Sequence, residues 1–224
     1  MILAIDTSTQ TASLALYEGQ GGVAAELTWC SASHHTVELA PYLSLLLQRV
    51  PSSKLSGLAV ALGPGSFTGL RAGLSLAKGL TLALGIPLVG VPTLDSLAYS
   101  QRYQPLPICA LLEAGRGRVC AAFYEKEGSD LRRVSDYLLT TVEELASHVS
   151  VPTLFCGEID PQGADILQKG SNHLIFLASP ASSLRRAGYL AELGWERLQR
   201  GGGDDPRSLE PLYLKRPVLP EDGL

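Results

Sequence analysis

The sequence predicts an α/β fold in two lobes, the second one shortened. Three observations predict it. Through roughly the first hundred residues, short apolar runs alternate with stretches of helical period. Glycine and proline clusters punctuate the boundaries between them. A polar segment at 101–107, with Pro105 and Pro107, separates that half from a second in which the pattern restarts more weakly. The predicted division is a first lobe at 1–100 and a smaller second lobe with a tail at 101–224.

Residues 1–5 form an apolar run that ends in Asp6-Thr7-Ser8-Thr9. Residues 13–17 alternate, with Leu14 and Leu16 on one face, as a strand does. Gly19-Gln20-Gly21-Gly22 is a turn signal, and 23–28 reads as a third strand. Residues 34–50 read as a helix with Ser33 as its N-cap. A buried strand at 58–62 is broken by Gly63-Pro64-Gly65-Ser66, and 68–84 is a second helix that ends near Gly85. A strand at 87–91 and a short helix at 93–100, capped by Thr93, complete the half. Parallel strands joined by helices demand a layered α/β structure, and the opening hairpins add antiparallel strands. The order β-β-β-α-β-α-β-α is that of the ribonuclease-H-like lobe used by actin, Hsp70 and the sugar kinases. In the second half, 108–112, 119–124, 134–138 and 153–155 read as strands, and 141–148 and 182–200 as helices. Gly201-Gly202-Gly203-Asp204-Asp205-Pro206 reads as a flexible break before a tail with Pro211, Pro217 and Pro220. No internal repeat is strong enough to use.

The chain of 224 residues is 46% hydrophobic and 18% charged, an ordinary globular composition. Its 18 basic and 22 acidic residues leave a net charge of −4, so no global attraction draws it to a phosphate backbone. Tight nucleic-acid binding by this chain alone is not expected. Cys30, Cys109, Cys120 and Cys156 form no C-x-x-C pair, so zinc ribbons and redox motifs are unsupported and small buried thiols are expected. The N-terminus lacks a basic leader region, and Asp6 interrupts the apolar run too early for a signal peptide. The longest apolar stretch, 74–91, holds Lys78, Gly79, Gly85 and Pro87, against a membrane span. A soluble, cytoplasmic protein is expected.

Three segments carry candidate chemistry. After a first strand, Asp6, Thr7 and Ser8 are suited to a phosphate- and metal-binding turn, since a carboxylate orients metal-bound water and hydroxyls meet phosphate oxygens. The plainer alternative is a turn whose side chains bond nearby backbone. Gly63, Pro64, Gly65 and Ser66 open a segment, 63–71, that sits between strand and helix where anions often bind. It matches neither the Walker register nor G-x-G-x-x-G, because Thr68 takes the place of the third glycine. A tight turn that delivers a small-residue helix is the preferred reading, with Gly69 and Gly73 letting another backbone come close. His34 and His35 lack a histidine four residues on, where Glu38 and Leu39 stand, and His148 and His173 are isolated. Solvated or capping histidines are expected, and no metal site. No G-x-S-x-G or H-E-x-x-H motif is present.

At 100° per residue, Glu38, Ser44, Gln48 and Arg49 mark a polar stripe on the first helix, with Leu45 inside it. On the second helix Arg71, Ser75 and Lys78 mark the stripe, with Leu82 inside it. The rest of each circumference is apolar or small, more than one sheet requires. A wide core-facing surface and a second, partner-facing surface explain this equally well.

The sequence resembles the TsaB family, also called YeaZ. Met1-Ile2-Leu3-Ala4-Ile5-Asp6-Thr7-Ser8 and His34-His35-Thr36 carry part of the likeness. Its core is residues 61–73, followed by Ala77-Lys78-Gly79-Leu80 and Gly90-Val91-Pro92-Thr93-Leu94. Pro211-Leu212-Tyr213 resembles the family's Pro-x-Tyr segment. Glu113-Ala114-Gly115-Arg116 stands where the family's second lobe carries Asp-Ala-Arg, a departure. The resemblance implies an actin/Hsp70-like fold with a shortened second lobe, no catalytic residue and no cofactor, with weak ATP or ADP binding only inside a complex. It implies a scaffold subunit that binds TsaD, the catalytic subunit for threonylcarbamoyl transfer to adenosine 37 of tRNA. The ATPase TsaE joins that complex, tRNA is reached through it, and the chain alone pairs with itself. It also implies a partner interface of His35, Leu39, Tyr42, Leu45 and Leu46 on the first helix. On the second helix the interface takes Gly69, Arg71, Ala72, Gly73, Ser75, Lys78 and Leu82. Two other classes stay open: an actin-like ATPase or kinase, and a metallopeptidase-like enzyme.

Overall fold

The computed structural model describes residues 1–31, 35–48, 50–170 and 173–214. The first sheet holds β1 (Ile2–Asp6), β2 (Thr11–Tyr17), β3 (Val23–Cys30), β4 (Gly57–Ala61) and β5 (Leu88–Val91). Its order is β3-β2-β1-β4-β5. The first three strands form antiparallel hairpins, and β4 and β5 join in parallel. Two helices supply the crossovers, α1 (His35–Leu47) and α2 (Phe67–Leu84), and α3 (Thr93–Tyr99) follows β5. The second sheet holds β6 (Ile108–Glu113), β7 (Val119–Glu127), β8 (Asp130–Arg133), β9 (Leu138–Thr140), β10 (Thr153–Gly157) and β11 (Ile175–Leu177). Read from β8, its main path is β8-β7-β6-β10-β11, the order of the first sheet over again. The repeat that sequence does not reveal is therefore present as topology. Helices α4 (Val142–Ser147) and α5 (Pro161–Gly170) lie in its crossovers, and α6 (Ala187–Gln199) closes the regular structure.

Strand alternation sorts the first sheet into two unlike faces. Leu3, Ile5, Leu14, Leu16, Leu58 and Val60 meet Leu39, Leu43, Leu46 and Leu74 of α1 and α2. The opposite face is paved with small residues, among them Ala4, Ala15, Ala59 and Ala61, and receives α6 through Ala187, Leu190 and Ala191. Gly194 lets α6 sit that close, since a Cβ there would lie 2.5 Å from Ala59 Cβ. The short helix α3 packs on the second sheet through Leu94, Leu97 and Ala98. Thus α3, from 1–100, covers the second sheet, and α6, from 101–224, covers the first. The two helices also touch each other, forming the layer between the sheets. Among the described residues no helix is long and apolar enough to cross a membrane.

Several boundaries differ from expectation for local reasons. Thr93 is not the cap of α3; Pro92 holds that place, and the Thr93 hydroxyl accepts from Gly63 N at 3.0 Å. Of the expected strand at 134–138, 134–137 is instead a gap between β8 and β9, where Ser135 Oγ takes the Phe123 N–H at 2.9 Å. The last helix starts at Ala187, not 182, because Ser179 and Ser182 close a turn and Arg185 and Arg186 are spent on carboxylates. Helix α5 and strand β11 were not expected; Asp160-Pro161 was the available signal, and Asp160 accepts from Gly163 N at 2.6 Å. The expected flexible break is held down: Asp204 pairs with Leu88, accepts from Gly90 N and bonds Arg197. Ser33, His34, Arg49, Lys215, Pro217 and Pro220 lie outside the described residues.

The glycine segment sits directly against the turn after β1. A Cβ on Gly65 would lie 2.1 Å from Ser8 O, and one on Gly69 2.1 Å from Thr7 O. The approaching backbone is the chain's own loop. Thr7 Oγ1 donates to Gly69 O at 2.7 Å, and Ser66 N to Ser8 O at 2.5 Å. Gly69→Ala is expected to cost about 2 kcal/mol or more through overpacking against backbone that cannot yield. Exposed Gly79→Ala, with open space around its Cβ, should stabilise slightly through helix propensity. Denaturant midpoints of the two variants check the contrast.

Candidate functional site

The turn after β1 lies at the base of the space between the lobes. Asp6 is 3% exposed, and its carboxylate is fully engaged. Ser8 donates to Asp6 Oδ1 from its backbone at 2.8 Å and from its hydroxyl at 2.7 Å. From the other side Arg185 Nη1 donates to both carboxylate oxygens at 3.3 Å. Arg185 itself is 5% exposed. Its Nη2 donates to Thr9 Oγ1 at 2.6 Å and to Thr11 O at 2.7 Å. Thr9 in turn donates to Glu158 Oε1 at 2.5 Å, and Glu158 stands 3.9 Å from Arg185. One buried guanidinium thus joins the β1 turn of the first lobe to the end of β10 in the second.

Sequence reasoning identified Asp6, Thr7 and Ser8 but missed Arg185, Glu158 and Thr93. Arg185 lies 179 positions from Asp6, so no local pattern pairs them. The one clue was a basic residue within a segment that otherwise reads as an amphipathic helix. Ser8 Oγ and Thr93 Oγ1 lie 2.9 Å apart, which ties the turn to α3.

Above this base opens a cavity of about 740 Å³. Thr9, Thr11, Ser66 and Thr68 line one side, and Glu113, Glu158 and Asp160 contribute carboxylates. Its lining includes no Lys or Arg among the described residues. An actin-like cleft that works on nucleotide needs a carboxylate free to hold a metal and donors for phosphate. Here Asp6 is committed to the Arg185 guanidinium, and among the described residues the lining offers no cationic side chain to meet phosphate. Among the described residues no three His, Cys, Asp or Glu side chains gather as a metal site.

His35 was expected to be solvated or capping; it is buried, at 5% exposed, beneath Gly69. Its Nδ1 has no hydrogen-bond partner among the described residues. Burial pushes its pKa below the ordinary value, against the pull of Glu38, a bond to the Thr9 backbone and Asp6. His148 bonds Glu144 O through Nδ1 at the end of α4. Of the cysteines, Cys109, Cys120 and Cys156 are buried as expected, while Cys30 is exposed. Burial raises the Cys120 thiol to about 11 and Cys156 to about 12, so both are inert near neutrality.

The twelve residues proposed for a partner face separate by exposure. His35, Leu39, Leu46, Gly69 and Gly73 are covered by the chain's own packing. Tyr42, Ala72 and Lys78 are half-buried, and Arg71 and Ser75 are exposed. Leu45 is 50% exposed and Leu82 86%, so neither reaches the core. Phe67, at 55% exposed, begins α2 and stacks on Tyr213 at 5.5 Å. Arg71 lies over the Phe67 ring at 3.8 Å and donates to Tyr213 Oη at 3.1 Å.

The model of the family described as "TsaD: tRNA N6-adenosine threonylcarbamoyltransferase" matches residues 2–215. A Bacillus subtilis (strain 168) relative named "tRNA threonylcarbamoyladenosine biosynthesis protein TsaB" is 31% identical over 219 residues, 96% of this chain and 93% of its own. The chain belongs to the TsaB (YeaZ) family. A solved structure titled "YeaZ from Pseudomonas aeruginosa" superposes with a TM-score of 0.77 at 25% identity, covering 95% of this chain and 99% of that one. The activator of the 2-hydroxyisocaproyl-CoA dehydratase from Clostridium difficile, solved with bound ADPNP, reaches a TM-score of 0.52 at 10% identity. It covers 95% of this chain and 98% of that one, and shows the fold alone. The family therefore has here the two-lobe, actin-like α/β architecture that its sequence implies. At the family's Asp-Ala-Arg position, Glu113 ends β6 exposed, and its backbone N–H donates to Glu158 Oε2 at 3.3 Å.

Two outcomes follow from the buried charges. Arg185→Ala strands the Asp6 carboxylate, and Asp6→Asn strands the guanidinium, each at about 3–5 kcal/mol. The double variant should cost less than the sum of the two, because the second change removes the stranded partner; urea denaturation of all four proteins measures the coupling. His35 acts through pH. Its folded pKa is lowered, so below about pH 6.5 the unfolded chain takes a proton that the folded chain refuses. This contribution is whole above that pH and drains as pH falls toward the folded pKa. His35→Gln should flatten the loss of stability as pH falls below about 6.5; identical slopes for variant and wild type would exclude the effect.

Proposed function

We propose that this chain is a non-catalytic scaffold subunit in threonylcarbamoyladenosine biosynthesis on tRNA, binding a TsaD-like catalytic subunit through α1 and α2. One observation carries the reading. The outer surface of α1 and α2 exposes Val37 (70%), Leu45 (50%), Phe67 (55%) and Leu82 (86%) on helices whose inner faces already cover the sheet. Scattered single leucines are ordinary on a surface, but four large apolar residues on one helix pair are a cost unless a partner covers them. A homologous helix pair would be a fitting cover, and a second copy of this chain would serve when no partner is present. Half-buried Ala72 and the groove beside it, lined by Leu39, Ala40 and Leu76, would admit a partner's side chains. The names of the relatives support the pathway. The engaged Asp6 supports the absence of catalysis by this chain, and weak ATP or ADP binding is proposed only inside the complex. A TsaE-like ATPase joins it, tRNA is reached through the assembly, and the setting is the cytoplasm. The ATPase or kinase alternative would need the Asp6 carboxylate free to hold a metal, and Arg185 engages it.

Omitting this chain from a reconstituted tRNA threonylcarbamoylation reaction should abolish or severely slow product formation. Saturable ATP turnover by the purified chain alone would favour the kinase reading. Burying a leucine contributes about 1.5–3 kcal/mol. Leu45→Asp and Leu82→Asp should therefore weaken association by about a hundredfold or more, while monomer stability moves by under about 1 kcal/mol. Sedimentation and denaturant midpoint measure the two quantities. Unchanged association in both variants would remove these leucines from the interface.

A further inference from the structure

Between β6 and β7 the chain turns through Gly115-Arg116-Gly117-Arg118, within the segment where its sequence departs from the family's Asp-Ala-Arg. Ala114 N donates to Arg118 O at 2.8 Å and Arg118 N to Gly115 O at 3.2 Å, which closes the turn. Gly115, Arg116 and Gly117 all lie in the left-handed region, with φ of 70°, 58° and 69°. Glycine adopts that region freely, whereas arginine does so at a steric cost. The hairpin therefore carries Arg116 where a glycine would be more comfortable, and carries it exposed. Neither Arg116 nor half-buried Arg118 meets a carboxylate within 4.0 Å among the described residues. Most other described arginines do, as Arg102 meets Glu192, Arg186 meets Glu26 and Arg197 meets Asp204. Arg71 is taken up by Phe67 and Tyr213. Two uncompensated positive charges thus stand two residues apart on one turn of a chain whose net charge is −4.

We propose that the turn at 115–118 is a contact for the phosphate backbone of tRNA. A guanidinium meets phosphate oxygens through paired N–H groups and keeps its charge at any working pH. Arg116 and Arg118 stand at a cavity of about 330 Å³ whose lining also includes Glu113, Glu143, Glu158 and Asp160. Those carboxylates repel a phosphate from the interior and leave the two arginines to hold it at the mouth. A contact at the mouth suits a backbone of successive phosphates passing outside, rather than one nucleotide sunk in a pocket. The acidic chain as a whole gives no attraction to such a backbone, so the attraction is local and each arginine counts. The inference rests on the reading that tRNA is reached through the assembly, and it adds the edge of this chain along which the tRNA passes.

The test is titration of the assembled complex with an unmodified tRNA transcript over a series of KCl concentrations. Arg116→Gly/Arg118→Ala should bind tRNA about tenfold more weakly than wild type near 0.1 M salt. The slope of log affinity against log salt should fall by about two, one for each phosphate contact removed. Arg116→Lys/Arg118→Lys, which keeps both charges, should recover most of the affinity. Arg116→Gly alone should hold or raise the thermal midpoint of the chain while it lowers tRNA affinity, a pairing that a merely structural arginine would not give. Sedimentation with the catalytic subunit should be the same for every variant. Unchanged tRNA affinity and slope in the double variant overturn the inference. So does weakened association with the catalytic subunit, which makes the turn a protein contact, or loss of ATP binding with tRNA binding intact, which makes it a nucleotide site. If the wild-type assembly does not form, the scaffold reading and this inference fall together; if it forms and the double variant binds tRNA like wild type, this inference falls alone.

Discussion

The buried pairing of Arg185 with Asp6 is the contact on which the centre of the molecule depends. A carboxylate held at 3% exposure needs a permanent counter-charge. Arginine supplies one that does not titrate, with a planar fork that reaches several acceptors at once. The same fork holds Thr9 and Thr11, and through Thr9 it reaches Glu158 at the end of β10. The turn after β1, the segment leading into α6 and the second lobe are therefore positioned by one side chain.

Around this centre the small residues set distances. Gly65, Gly69 and Gly73 allow α2 to press on Thr7 and Ser8, and Gly194 allows α6 to press on Ala59. The first sheet is consequently clamped between helices on both faces, with large side chains toward α1 and α2 and alanines toward α6. Crossing of α3 and α6 to each other's sheets adds a second tie between the lobes. Thr93 shows how closely the parts are coupled, since its hydroxyl serves the glycine turn and the Asp6 loop together.

The outer helices present the opposite case, in which the fold leaves apolar surface uncovered. Leu39, Leu43 and Leu46 of α1 face inward and are buried, while Val37 and Leu45 point away. Phe67 is partly sheltered by Tyr213 and Arg71 near the end of the described chain. A helix pair apolar on both sides is reasonable for a subunit and wasteful for a monomeric enzyme, which is why the proposed role centres on it.

What the sequence determined by itself was set by short-range rules. Strand and helix periods, the glycine turn and the stop near Gly85 place β1 to α3 within about three residues, because each depends on neighbours three or four positions away. The exposure of Leu45 and Leu82 was legible for the same reason: helical geometry alone puts them among polar residues. The 61–73 segment also identified the family. What only the tertiary structure decided involves partners far apart in the chain. It decided that Gly69 and Gly73 serve the chain's own loop, that His35 is buried, that α6 returns to the first sheet, and that the two sheets share one strand order. Above all it decided the state of Asp6. A carboxylate after a strand reads the same whether a metal or an arginine will face it. The difference lies in a residue 179 positions away, brought in by packing that no local pattern encodes.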